Sequence, residues 1–166
     1  MHNWKNYIPS SLAGLLTLTQ FILLFFISKT YIPSLRYVGY AIWALSAYFG
    51  WAPMVIFKKK GGVTKGRSYL HTTKLVDTGV YAIVRHSQYV ALPLLNIAFI
   101  LVGQNLIIAI LGIVAIPLML IDIQKADKTC LKKFGEIYND YMKRVPRINF
   151  VLGIIRVLSK KDNVRT

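Results

Sequence analysis

Two short segments carry the side chains best suited to chemistry. The first, GVYAIVRHSQY at residues 79–89, takes Arg85 and His86 from a basic loop straight into apolar sequence. A charge at the edge of hydrocarbon is costly, and where it persists the default expectation is a polar site cut into the membrane face. Arg85 has a planar fork that can hold a carboxylate through two parallel hydrogen bonds. Read singly, Arg85 could equally be a border residue reaching toward headgroups, His86 a polar group at a helix entry and the tyrosines an interfacial belt. The second segment is ADKTCLKKFGEIYNDYMKRVPR at residues 126–147. Across 123–141, Ile123, Asp127, Cys130 or Leu131, Phe134, Tyr138 and Tyr141 recur at three- and four-residue steps, which predicts an amphipathic helix. Asp127 is the odd member of that stripe. A buried carboxylate must find a partner or lose its charge; either it belongs to a site, or the helix start and a nearby lysine satisfy it. Tyr89, Tyr138 and Tyr141 offer aromatic faces, which attract cations.

The elements that position these residues follow from hydropathy. The chain has 166 residues, 55% of them hydrophobic, and a mean hydropathy of +0.48, too apolar for an ordinary soluble domain. No charge falls between Lys5 and Lys29, or between Arg36 and Lys58, and each run is long enough to cross a bilayer. After Arg85 and His86 no Asp, Glu, Lys or Arg appears until Asp122, which is too long for one crossing of about 30 Å of hydrocarbon. The polar cluster Gly103-Gln104-Asn105 is the natural break, giving a tight helical hairpin. Lys and Arg collect on the cytoplasmic side of short loops. Seven fall from Lys58 to Arg85 and eleven from Lys125 onward, but only Lys29 and Arg36 lie between the first two spans and none in the hairpin turn. Four crossings put both rich segments on the same side.

The expected architecture is therefore all-α: a polytopic membrane protein with about four transmembrane helices, forming one membrane-embedded domain over 1–166. The spans are placed at about 12–27, 37–57, 87–102 and 106–122, with a cytoplasmic loop at 58–86 and a cytoplasmic amphipathic helix and tail at 123–166. Both termini are expected on the cytoplasmic side. Pro146 ends the amphipathic helix, and the segment INFVLGIIRVL after it is too short to span and suits a surface-lying or re-entrant helix.

Several function classes are disfavoured. The net charge of +15 sits at membrane borders, where anionic lipid headgroups account for it, so nucleic-acid binding is not expected. Cys130 is the single cysteine, and His2, His71 and His86 are scattered without metal-ligand spacing, so no metal is expected. GGVTKGRS at 61–68 nearly spells a phosphate loop, with Arg67 in the lysine position, but it follows a membrane helix rather than a strand.

In order, the segments LVDTGVYAIVRHSQY, an apolar hairpin and ADKTCLKKFGEIYNDYMKRVPR resemble the isoprenylcysteine carboxyl methyltransferase and phospholipid methyltransferase superfamily of integral membrane enzymes. The resemblance covers roughly residues 75–147. It implies transfer of a methyl group from S-adenosylmethionine, bound on the cytoplasmic side, to a lipidic acceptor that arrives through the bilayer. By that resemblance Arg85 and Asp127 are the catalytic residues. Gly79, Tyr81, His86, Tyr89, Asp127 and Tyr138 enclose the cofactor, and Arg85, Tyr141 and Arg147 meet the substrate. The expected acceptor is a carboxylate of prenylated-cysteine type, with a phospholipid or lipid amine as the alternative. Readings of other classes are a non-catalytic lipid-binding scaffold and an NADPH-dependent relative of sterol reductases. Ser87 stands where the family has proline, Ala91 where glycine is common, and Ala126-Asp127 where a Glu-Glu pair is usual.

Overall fold

The computed structural model describes residues 8–63, 66, 68 and 72–162, with backbone alone for 160–162. Every regular element among the described residues is an α-helix: α1 (Ile8–Ile27), α2 (Pro33–Lys60), α3 (Val80–Ile83), α4 (Ser87–Gly103), α5 (Leu106–Leu120), α6 (Ile123–Phe134), α7 (Glu136–Arg144) and α8 (Phe150–Asp162). Three helical stretches are long and apolar enough to cross a membrane: α1, α2 and the run Leu106–Phe134, in which α5 continues through a turn into α6. At 17 residues α4 is shorter, about 25 Å at 1.5 Å per residue.

The first two helices begin earlier than the expected spans, while α4 and α5 begin at 87 and 106 as expected. α1 starts at Ile8-Pro9 and α2 at Pro33, because proline fits the first turn of a helix, where its missing N–H is not needed. The predicted helix over 123–141 is two helices instead. Gly135 takes φ 59 and ψ −137, a conformation open essentially to glycine, and divides α6 from α7. The expected 58–86 loop also holds the end of α2 and the single turn of α3. Of the near-phosphate-loop segment, Thr64, Lys65 and Arg67 lie outside the described residues, as do His2 and His71.

Contacts group the chain into two compact units, residues 1–48 with 91–124 and residues 49–90 with 125–166. In the first, α1 packs on α5 through Ala13, Ala115 and Met119, flanked by Leu16 and Leu118. Its buried polar side chains are neutral and bond to each other or to backbone carbonyls, with Gln20 Oε1 left without a hydrogen-bond partner. Thr17 Oγ1 donates to Ala13 O at 2.9 Å, Asn96 Nδ2 donates to Leu92 O at 2.9 Å and to Thr17 Oγ1 at 3.2 Å, and Gln20 Nε2 donates to Ile108 O at 2.7 Å. Helices in lipid use such bonds and close small-residue contacts because lipid offers no hydrophobic gain between them. Gly112 makes that approach, since a Cβ there would lie 2.5 Å from Gln20 Nε2.

The Gly103-Gln104-Asn105 break falls between α4 and α5, and its side chains hold the turn. Gln104 accepts from Tyr31 N and Ile32 N at 3.0 and 2.8 Å and donates to Ile32 O at 2.8 Å. Asn105 caps α5 by accepting from Ile107 N at 2.9 Å.

The second unit carries α3, α6, α7 and α8. α8 lies against α3 so closely that a Cβ on Gly153 would come 2.0 Å from Ile83 O. Arg156, inside α8, donates to Ala82 O and Arg144 O, near the ends of α3 and α7, and satisfies carbonyls that helix ends leave open.

Candidate functional site

The second unit builds an ion cluster around Asp127. Gly79, at φ 64 and ψ −130, turns the chain into α3, and a Cβ there would lie 2.7 Å from Ile56 Cδ1. The chain leaves α3 extended at Val84, and Arg85 N and His86 N donate to Pro146 O and Arg147 O at 3.0 and 3.1 Å. This short extended pairing fixes where Arg85, His86 and Arg147 start. α6 brings Asp127, and α7 brings Tyr138 and Tyr141 on the same buried face.

Asp127 is only 7% exposed, yet it is surrounded by donors. Its Oδ1 accepts from Arg85 Nη1 at 3.0 Å, from Tyr138 Oη at 2.7 Å and from His86 Nε2 at 2.6 Å. Its Oδ2 lies 2.8 Å from Arg147 Nε, close enough for charge attraction but without hydrogen-bond alignment. Neither a lysine nor the helix start supplies these partners. Burial alone would raise the Asp127 pKa, but hydrogen bonds from Tyr138 and His86, with the positive charge nearby, outweigh it and hold the carboxyl below its ordinary value. Burial lowers the His86 pKa despite the pull of Asp127, so the imidazole is neutral near pH 7 and its Nε2 proton faces the carboxylate. The tyrosine hydroxyls are pushed above their usual range, Tyr138 by burial and then by Asp127, Tyr141 by burial.

A charge count over this cluster is informative. One carboxylate faces two guanidiniums, those of Arg85 and Arg147, while His86 and both tyrosines are neutral. The cluster holds a surplus positive charge, and Arg85 Nε is buried without a hydrogen-bond partner.

Beside this cluster lies a cavity of about 240 Å³. Its walls include Phe57, Leu75, Tyr81, Arg85, Cys130 and Tyr138. Phe57 and Tyr81 stack with ring centroids 4.7 Å apart and planes 17° from parallel. Tyr141, also in the wall, donates to Tyr81 O at 2.7 Å and ties α7 to α3. Burial pushes the Cys130 thiol pKa up, which keeps it protonated.

Of the residues singled out from sequence, Arg85, Tyr81, Tyr138 and Tyr141 line the cavity, and Asp127, His86 and Arg147 complete the ion cluster. Gly79 shapes the turn before α3. Tyr89 meets His86 edge to face at 5.7 Å and is not among the lining residues. Phe57, Leu75 and Thr72 also line the cavity and were not foreseen; the signal available for Phe57 was its aromatic ring one residue before the Lys58 border. One of the sequence departures has a local reason. Ser87 opens α4, where proline would also fit, and its hydroxyl donates to Phe49 O at 2.5 Å. Ala91 is buried, and nothing in the structure explains alanine there in place of glycine, since the carbonyl that accepts from Ser46 Oγ at 2.8 Å belongs to the backbone.

Fold and site together define an all-helical protein with membrane-length apolar helices and, beside an aromatic cavity, a buried Asp127–Arg85 pair joined at its exposed edge by Arg147. No family model, curated protein or solved structure matches the chain.

Proposed function

We propose that this protein is a membrane methyltransferase that uses S-adenosylmethionine, crosses the bilayer four times with its site on the cytoplasmic side, and acts on a lipidic carboxylate. The observation that carries the reading is the meeting of the two motif segments. Arg85 and His86 from one and Asp127, Tyr138 and Arg147 from the other form one cluster, at the wall of a cavity with aromatic sides.

The residues fit such a cofactor in kind. The surplus positive charge and the open Nε of Arg85 suit a carboxylate, and the faces of Tyr138, Tyr141 and Tyr81 suit a flat ring or a sulfonium cation. At about 240 Å³ the cavity is below the range of about 300–1,000 Å³ usual for ligand pockets, so it encloses only part of a molecule that large. When bound, the cofactor supplies an already activated methyl group. Arg85 would orient the acceptor or cofactor carboxylate, and the apolar wall would exclude water. Asp127, already engaged by four groups, acts as a positioning residue that fixes Arg85 and Tyr138 rather than as a direct ligand. A carboxylate acceptor is ionised at neutral pH and needs no base.

Calorimetric titration of the purified full chain with S-adenosylhomocysteine and with NADPH tests the proposal. Binding of the first alone is expected. Binding of NADPH alone favours the reductase reading, and binding of neither favours the scaffold.

A further inference from the structure

We infer that α8 is an interfacial helix whose outward face is buried in the surface of an anionic lipid bilayer. The proposal stands independently of the methyltransferase reading.

At 100° per residue the helix has two clean faces. Phe150, Gly153, Arg156 and Val157 fall on one arc and face the second unit: Gly153 lies against Ile83 O, Arg156 bonds Ala82 O and Arg144 O, and Phe150 packs on Phe49. Val151, Leu152, Ile154, Ile155 and Leu158 fall on the other arc and are all exposed, together with Ser159 near the helix end, whose hydroxyl donates to Ile155 O at 3.0 Å. A helix on the surface of a water-soluble protein turns its polar face outward. Here the outward face is the apolar one, so its medium is not water.

Three observations select a bilayer surface as the occupant. α8 is 13 residues, about 20 Å, and cannot cross about 30 Å of hydrocarbon. It begins against a membrane-length helix, since the rings of Phe150 and Phe49 are 5.6 Å apart and Phe49 belongs to α2. Phe49 lies nine residues, about 13 Å, along α2 from Lys58, where the basic run begins, so α8 starts below the level of those lysines. Finally, Lys160 and Lys161 follow the apolar run, matching a helix whose end meets anionic headgroups.

Docking α8 in lipid also bears on the cavity. Through Arg156 it joins the ends of α3 and α7, which carry Tyr81, Tyr138 and Tyr141.

The test labels the full chain, in a Cys130→Ala background, with an environment-sensitive fluorophore at Leu152→Cys, at Ile155→Cys and, as a polar control, at Lys143→Cys. The protein is reconstituted into phosphatidylcholine–phosphatidylglycerol vesicles. The first two labels are expected to emit at shorter wavelength than the control, to be quenched by lipids with brominated acyl chains and to be shielded from aqueous iodide. Iodide quenching equal to that of the Lys143→Cys label overturns the proposal. So does shielding that grows with protein-to-lipid ratio and is accompanied by disulfide-linked dimers through Leu152→Cys, because the face would then meet a second copy. A parallel measurement needs no substitution: a photoreactive phosphatidylcholine should label wild-type protein within residues 148–158, and absence of label there also overturns the proposal.

Discussion

The two units of this protein bury polar groups in opposite ways. In the first, Thr17, Gln20 and Asn96 are neutral and bond to one another or to backbone carbonyls. In the second, the buried carboxylate of Asp127 is paired with the buried guanidinium of Arg85, and a second guanidinium, that of Arg147, meets it from the exposed edge. Neutral groups bonded to one another and to carbonyls hold helices together. A buried ion pair costs desolvation by itself, and one with a further guanidinium at its exposed edge suits an arriving group of opposite charge. The difference makes the second unit the candidate site without reference to any relative.

The largest effect expected is on activity. Arg85→Ala should lower methyl transfer by about 100-fold or more, the scale seen when one donor to a reacting group is removed, while the protein stays folded. Single-turnover assays with a melting curve on the same sample check it; near-normal turnover in the folded variant removes Arg85 from the site and, with it, the contrast between the units.

The next effect is on stability. Asp127→Ala leaves two guanidiniums without their carboxylate, and breaking a buried pair this way costs about 3–5 kcal/mol, moderated here because Arg147 is 44% exposed. Asn96→Ala, in the first unit, should cost about 0.6–1.7 kcal/mol, the range for polar bonds between membrane helices. Denaturation of both variants in the same detergent compares them directly. Equal losses would mean that the ion cluster is only another form of helix glue. Asp127→Asn should likewise weaken cofactor affinity more than Asp122→Asn, since Asp122 pairs with Ser10 in the first unit and takes no part in the cluster.

A backbone effect of similar size is expected at the α6–α7 break. Gly135→Ala should destabilise by about 1–3 kcal/mol through φ alone, because the space beside Gly135 is open. A melting temperature unchanged by Gly135→Ala would show that α6 and α7 join as one helix.

Much of this was legible in the sequence because it rests on local signals. The hairpin break at Gly103-Gln104-Asn105 was legible as the polar interruption of a long apolar run. Asp127, Tyr138 and Tyr141 were legible as one face because helix periodicity survives the break at Gly135, and the structure selects Cys130 over the exposed Leu131 for that face. The break itself had a signal, a glycine inside a helical pattern, outweighed by the continuity of the stripe. What stayed hidden depends on distant backbone. Arg147 reaches Asp127 because the chain after α7 runs extended beside Arg85 and His86, and no spacing rule encodes that pairing. Phe57 joins the cavity by stacking on Tyr81, 24 residues later, a contact that only the fold supplies. The charge surplus needed the same knowledge, since it arises from two arginines meeting one carboxylate.

The smallest effects should come from pH, and they distinguish the two kinds of acceptor. The folded pKa of His86 lies below its unfolded value of about 6.5, because burial disfavours the imidazolium. The unfolded chain therefore takes up this proton first as pH falls. The stability linked to neutral His86 is fully present above pH 6.5 and declines below it. Asp127 has the complementary sign: its folded pKa is below its unfolded value of 3.8, so its contribution is present above that pH and is lost as pH drops through the folded value. Neither group titrates between about pH 7 and 8.5, and a carboxylate acceptor is already ionised there, so single-turnover methyl transfer at saturating cofactor should be nearly flat across that range. Any acid limb should lie below 6.5 and move when His86 is replaced by Gln. An amine acceptor must lose a proton before its lone pair can react, and without a base its rate rises about tenfold per pH unit. A rise of that slope would shift the acceptor to a lipid amine. An amine reaction with a flatter slope that steepened on His86→Gln, at unchanged melting temperature, would instead mean that the imidazole accepts the amine proton.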